Sequence, residues 1–240
     1  MKTIGLLGGM SWESTVVYYK TINTVAKEQL GGLHSAKCII NSVDFHEIEK
    51  CQQKGEWLRS AAILAGAARK LESAGADFFL ICSNTMHKVA DAVQAAVKIP
   101  LLHIADVTAE ELIREGIRRV GLIGTRYTME QDFYKSRIAA RGIEVMVPDV
   151  GERHFLNDII FNELCLGVTN NSSRKGILRI IKRLGDTGAR GIILGCTEIG
   201  MLIKQSDTDL PLFDTGLIHA GKAAQYAISE SFPPNEYPAK

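Results

Sequence analysis

No stretch of this chain approaches the roughly eighteen consecutive apolar residues that a membrane-spanning helix needs. An excess of one charge is missing as well. The 28 basic residues are matched by 27 acidic ones, with no basic stripe or acidic tail, so nucleic acid and anionic membranes are not expected partners. CxxC and HExxH do not occur, which leaves a structural or catalytic metal site without support. The 5 cysteines are an odd number scattered over 240 residues, so a disulfide framework is not expected and a reducing, cytoplasmic setting fits better. Glycines and a charge break the apolar stretch near the start too early for an export signal. Gly5-Leu6-Leu7-Gly8-Gly9 lacks the GxGxxG spacing and a suitably placed ribose-binding acid, which speaks against a dinucleotide site. Gly8 and Gly9 read instead as a tight strand-to-helix turn beside a small ligand.

What is present is an apolar content of 46%, enough for a substantial core in one large or two small domains. Short apolar runs alternate with helical patterns from end to end. Strands are predicted at Thr3–Leu7, Ala36–Ser42, Asp77–Ile81, Leu101–Ile104, Arg119–Ile123, Glu144–Val147, Gly191–Leu194 and Leu210–Phe213. Helices are predicted at Trp12–Leu30, Glu56–Ala74, Thr85–Val97, near Met129–Ala140, His154–Leu166 and Arg174–Leu184, and around Leu217–Ser231. Gly31, Gly32 and Gly75 stand where helix stop signals belong. Thr108 with Glu111, and Thr128 with Gln131, have the spacing of capping boxes. Runs such as Phe78-Phe79-Leu80-Ile81 do not alternate polar with apolar residues, as expected of strands buried on both faces of a parallel sheet. The predicted fold class is α/β.

Three segments recur in order. Thr3-Ile4-Gly5-Leu6-Leu7-Gly8 matches Arg119-Val120-Gly121-Leu122-Ile123-Gly124 at an offset of 116. Gly75-Ala76 and the run after it match Gly188-Ala189 and the run after it at an offset of 113. Ile99-Pro100 matches Leu210-Pro211 at an offset of 111. Two copies of one βα set are therefore expected. One domain would comprise 1–100 plus 214–240, with the last helix packing back on it, and the other 101–213. Ligands of open parallel sheets bind at the carboxyl ends of the strands. Facing copies would make a cleft with a pseudo-two-fold axis, approached by equivalent strand ends from opposite sides.

The middle offset carries Cys196, in Gly195-Cys196-Thr197-Glu198, onto Ser83, in Cys82-Ser83-Asn84-Thr85. Each follows a buried strand, and each is trailed by a threonine, Thr85 or Thr197. A helix N-terminus there would favour an anion and draw a cysteine toward its thiolate. Removing a weakly acidic α-proton and returning it to the other face demands two acid/base groups on opposite walls of a cleft. A cysteine on one wall and a serine on the other would supply that arrangement.

The segments GLLGGMSWEST near the start, CSNTMH at 82–87, GTRYTM at 124–129 and ILGCTEIG at 193–200 resemble the aspartate/glutamate racemase family, in that order and over essentially the whole chain. The resemblance implies two similar Rossmann-like or flavodoxin-like domains, an active site between them, catalysis without a cofactor, an amino-acid substrate and a homodimer. Typical members pair the cysteine of GCTE with a cysteine immediately before Asn-Thr. The first falls on Cys196 and the second on Ser83. A serine hydroxyl is a far poorer acid and base than a thiol near neutral pH. Ser83 could relay a proton, Cys82 could swing into the site, or a single cysteine could suffice. Met10, Gln52, Asn84, Thr85 and Thr197 are candidates for holding the α-amino and α-carboxylate groups.

Acid-specific members are similar in using an arginine and a lysine for the side-chain carboxylate. Here Asp44-Phe45-His46-Glu47-Ile48 holds no arginine, and Cys165 stands where the lysine is expected, so a broader or neutral substrate set also fits. Two other readings stay open: a single-cysteine decarboxylase or isomerase of small acids, and an inactive small-molecule binding protein. Cys38, Cys51 and Cys165 read as packing residues. For His87, one turn into a helix, a structural hydrogen bond and a catalytic role stand equally.

Overall fold

The computed structural model describes residues 1–229. Its strands are β1 (Ile4–Gly8), β2 (Cys38–Ser42), β3 (Phe78–Ile81), β4 (Arg119–Gly124), β5 (Glu144–Met146), β6 (Ile192–Gly195) and β7 (Leu212–Asp214). The α-helices are α1 (Trp12–Leu30), α2 (Phe45–Lys54), α3 (Trp57–Ser73), α4 (Ala90–Gln94), α5 (Ile104–Arg114), α6 (Arg126–Glu130), α7 (Asp132–Ala139), α8 (Val150–Asn162), α9 (Asn171–Asp186), α10 (Ile199–Leu202) and α11 (Thr215–Ser229). The strands form two all-parallel sheets, ordered β2-β1-β3 and β5-β4-β6-β7. Among the described residues, no helix is long and apolar enough to cross a membrane.

Burial explains the strands. All four residues of β3 and of β6 are buried, as both faces of a parallel sheet covered by helices require. The two sheets also share one plan. In each, the first strand lies between the second and the third, and a fourth segment adds beside the third. In the second sheet that segment is β7; in the first it is a single parallel bridge between Phe79 and Leu101. Leu101–Ile104 is thus not a full strand, because the chain turns into α5 at Ile104.

The chain divides into two compact units. The first comprises Met1–Cys82, Val89–His103 and the described residues from His219 onward. The second comprises Ser83–Lys88 and Ile104–Ile218. In the first unit, α11 is tied to the start of the chain by a bond from the Lys2 amide to the Ala227 carbonyl at 2.9 Å. Buried His219 on α11 links the Tyr18 hydroxyl, 2.9 Å from Nδ1, to the Leu102 carbonyl, 2.9 Å from Nε2. The expected continuation of this helix to Ser231 lies outside the described residues.

Several local expectations are corrected. Thr108 lies inside α5, where its hydroxyl donates to the Ile104 carbonyl at 2.7 Å; a capping box with Glu111 does not form, because the helix starts a turn earlier. Thr128 is likewise inside α6, and Thr125 is the N-cap, accepting from the Thr128 amide at 3.4 Å. Gln131 then separates α6 from α7, so the helix expected near Met129–Ala140 is two. Thr85–Val97 is a 3-10 turn over Thr85–Val89 followed by the short α4. The unanticipated α2 is capped by Asp44, which accepts from the His46 amide at 3.0 Å, and is stopped by left-handed Gly55.

The turn after β1 shows why Gly9 cannot carry a side chain. Its φ is 93°, and a Cβ there would lie 2.2 Å from the Val43 carbonyl oxygen. The tight-turn part of the expectation for this glycine therefore has its cause in a close backbone approach.

Candidate active site

In the second sheet, connections run to opposite sides of the β4/β6 pair, which makes the carboxyl ends of these strands its topological switch point, the usual place for a ligand. Gly124 and Gly195 are register partners there. A Cβ on Gly124 would meet the Gly195 carbonyl oxygen at 2.8 Å, so the two strand ends lie this close because residue 124 is glycine. Cys196 is the next residue after that pair, and it is buried.

The segment Ser83–Lys88 is fastened to the same strand ends by side chains. The Asn84 amide nitrogen donates to the Thr215 hydroxyl at 2.9 Å, and that hydroxyl donates to the Leu194 carbonyl on β6 at 2.9 Å. The Thr85 hydroxyl lies 2.9 Å from the Thr125 hydroxyl, just past β4. His87 completes the anchoring. Its Nδ1 donates to the Ser83 carbonyl at 2.7 Å, and its Nε2 accepts from the Ile104 amide at 3.2 Å. These two bonds need the neutral ring. Burial, and then the charge of Arg137, outweigh the Ser83 bond and push its pKa down to about 3. Of the two readings left open for His87, the geometry supports the structural one.

Ser83, Asn84, Thr85, Cys196 and Thr197 thus share one compact unit, whereas Met10, Gln52 and Cys82 fall in the other. The Ser83 hydroxyl accepts from the Met86 amide at 3.5 Å, a long N-cap bond. Asn84 is buried, and its Oδ1 has no hydrogen-bond partner among the described residues. An acceptor left so costs about 1–3 kcal/mol, an expense that a donor on a ligand would remove. Cys82 continues the β3 ladder through its amide, which donates to the Leu7 carbonyl at 2.9 Å. Burial, followed by neighbouring Cys38, pushes its thiol far up. Met10 and Gln52 are both buried, Gln52 on α2.

Cys196 departs from expectation in its ionisation. Rather than being drawn toward a thiolate, its thiol is raised well above the ordinary value, first by burial and then by the Glu198 and Cys165 charges. α10, which follows, has only 4 residues, so few peptide dipoles line up to oppose those effects. The Cys196 thiol instead donates to Glu198 Oε2 at 2.9 Å, and the Thr197 hydroxyl donates to the same oxygen at 2.9 Å. The role of Glu198 was missed from sequence, although it is the last residue of the GCTE segment. The signal was a carboxylate two residues from the thiol, at a strand-to-helix turn that brings them together.

A buried thiol beside a carboxylate thus lies at the switch point of the second parallel sheet. Residues 7–223 match the model of the Asp/Glu/hydantoin racemase family. The chain belongs to that family, and with it to the isomerases. A candidate Asp/Glu racemase from Yersinia pestis is similar in structure, with 55% identity, a TM-score of 0.88, and 95% of this chain and 100% of that one covered. An aspartate racemase homologue from Pyrococcus horikoshii OT3 follows at 40% identity, TM-score 0.83, with 95% and 100% covered. The broad specificity amino-acid racemase RacX of Bacillus subtilis is 26% identical over 157 residues, which span 64% of this chain and 66% of that protein.

Proposed function

We propose that this chain racemises a small amino acid without a cofactor, with Cys196 exchanging a proton with one face of Cα. The observation that carries the reading is the position of the Cys196 thiol, one residue past the Gly124–Gly195 pair in a chain that matches the racemase family over residues 7–223. Ser83 serves the opposite face, directly or through a bound water. Asn84 Oδ1 accepts from the substrate's ammonium group. Thr85 and Thr197 contribute hydroxyls near the α-carboxylate, and Met10 and Gln52 remain candidates from the first unit. Cys82 is the less suitable partner, since it is wholly buried and continues the β3 ladder, its amide donating to the Leu7 carbonyl.

The substrate set is aspartate, glutamate or a broader group. Kinship to the aspartate racemase homologue favours the acids, while kinship to RacX and the absence of arginine from 44–48 favour breadth. From cysteine usage and from the family resemblance we also infer a cytoplasmic homodimer acting on a free amino acid.

A panel of L- and D-amino acids incubated in D2O tests the reading. Chiral chromatography is expected to show conversion of at least one member, with deuterium at Cα and the carboxylate retained. Release of CO2 would replace racemisation by decarboxylation. Tight binding of an amino acid with no exchange at Cα would leave a binding protein.

A further inference from the structure

We propose that Glu198 is a positioning residue for Cys196, its carboxylate and the thiol sharing a single proton, so that Cys196 rests as a proton donor. The inference rests on the racemase reading for its place in the reaction and on the Cys196–Thr197–Glu198 turn for its geometry; Cys165 and Asp214 are the other titratable groups whose charges reach Cys196 and Glu198.

Two acids meet in this turn. Cys196 and Glu198 are 7% and 4% exposed, with Sγ and Oε2 2.9 Å apart. When two such groups lie within hydrogen-bond distance away from water, a thiolate beside the carboxylate is disfavoured. Thr197 decides where the shared proton stays. Its hydroxyl donates to the same Oε2 at 2.9 Å, and a bond to the charged form of a carboxylate favours that form. The proton therefore resides on sulfur, and the thiol is held in one orientation by its own hydrogen bond.

The consequence for turnover is directional. A water held on the Ser83 side takes the α-proton, leaving its electron pair on Cα. The Cys196 S–H bond then breaks, a C–H bond forms on the opposite face, and the electron pair of the S–H bond stays on sulfur. The resulting thiolate lies against a carboxylate, which favours its rapid return to thiol. Solvent water supplies that proton and accepts the one held on the Ser83 side, so the cycle closes without any other reactant. In the reverse direction, the thiolate is the base and must form beside Glu198. Because racemisation has an equilibrium constant of one, kcat/KM stays equal for the two enantiomers, and the asymmetry appears in kcat and KM separately.

The test is a thiol titration of the full chain, which does not depend on turnover. Alkylation by iodoacetamide is followed against pH and read by mass on the peptide that carries Cys196. In Glu198→Gln, loss of the neighbouring charge is expected to lower the midpoint by about one pH unit, which makes alkylation about tenfold faster near neutrality. Glu198→Asp, which keeps the charge, is expected to stay near the wild-type midpoint, and Glu198→Gln to alter the split of kcat and KM between enantiomers. Should Glu198→Gln fail to fold, the wild-type protein decides by itself. Its ultraviolet thiolate absorbance, taken as the difference from Cys196→Ser, is expected to be absent at neutral pH. An unchanged or raised midpoint in Glu198→Gln, or a thiolate signal from wild type at neutral pH, overturns the proposal. Racemisation with an unshifted titration removes only the role of Glu198; the expected shift in a protein that racemises nothing removes only the reaction.

Discussion

The ends of β3 and β6 occupy the same place in the repeated strand order, yet they present different chemistry. After β6, Cys196 meets a carboxylate two residues on. After β3, Cys82 is wholly buried, and the residue in register with Cys196 is Ser83, whose hydroxyl caps a 3-10 turn. One strand end carries a thiol bonded to a carboxylate; the other is held by Asn84, Thr85 and His87 and offers a hydroxyl. The repeat keeps the place where the chain turns, whereas the side chains at the two turns differ.

Substitutions can break that comparison, and the largest effect is expected at Cys196. Cys196→Ser should lower kcat/KM by about a thousandfold or more, roughly 4 kcal/mol of transition-state stabilisation. Chiral chromatography of both enantiomers checks it, and a loss below tenfold would move the acid/base role elsewhere. Asn84→Ala removes both the Thr215 anchor and the unpartnered Oδ1, so kcat/KM should fall about thirtyfold, near 2 kcal/mol for a bond to a charged group. If only stability falls in that variant, Asn84 is a strut and not a ligand group.

His87 tests what holds the Ser83 side in place. Its pKa lies at about 3 in the folded chain against an ordinary 6.5, so the unfolded chain takes up the proton first. Stability from this group is full above about pH 6.5 and falls as pH drops toward 3, by about 2 kcal/mol at roughly pH 5. Urea unfolding midpoints should follow that slope, and His87→Gln should flatten it by about one proton; an unchanged slope would mean that the ring titrates normally. Smaller still is Ser83. Ser83→Ala is expected to lower kcat/KM about tenfold, and Ser83→Cys to raise it above wild type, since a thiol is the better acid. Cys82→Ala should leave kcat/KM within about twofold while costing about 1 kcal/mol of folding stability. A larger kinetic loss there would return Cys82 to the site.

The buried strands were legible because Phe78–Ile81 and Ile192–Leu194 are continuous apolar runs with glycine or charge at their edges. Cys196 was legible because the repeat and the GCTE segment point to the same residue. Other elements were hidden for identifiable reasons. α2 is short and mostly polar, with Ile48, Cys51 and Gln52 buried, so its apolar stripe rests on Phe45, Ile48 and Cys51 alone and is easily overlooked. Thr108 has the spacing of a cap, but a threonine hydroxyl inside a helix can bond the carbonyl one turn back, and here it does. The raised thiol of Cys196 was not legible at all. Its ionisation depends on burial and on which way the Glu198 carboxylate faces, and neither follows from the order of residues.

Helix α11 has a consequence for how the molecule comes into being. The larger part of the first unit precedes the second in the chain, yet Tyr18 and the Lys2 amide bond to His219 and Ala227. A nascent chain can close the second unit, which ends at Ile218, before the first has its last helix. The half translated first is therefore finished last, and a ribosome-bound chain arrested short of His219 should protect the second sheet from proteolysis while leaving the first one open.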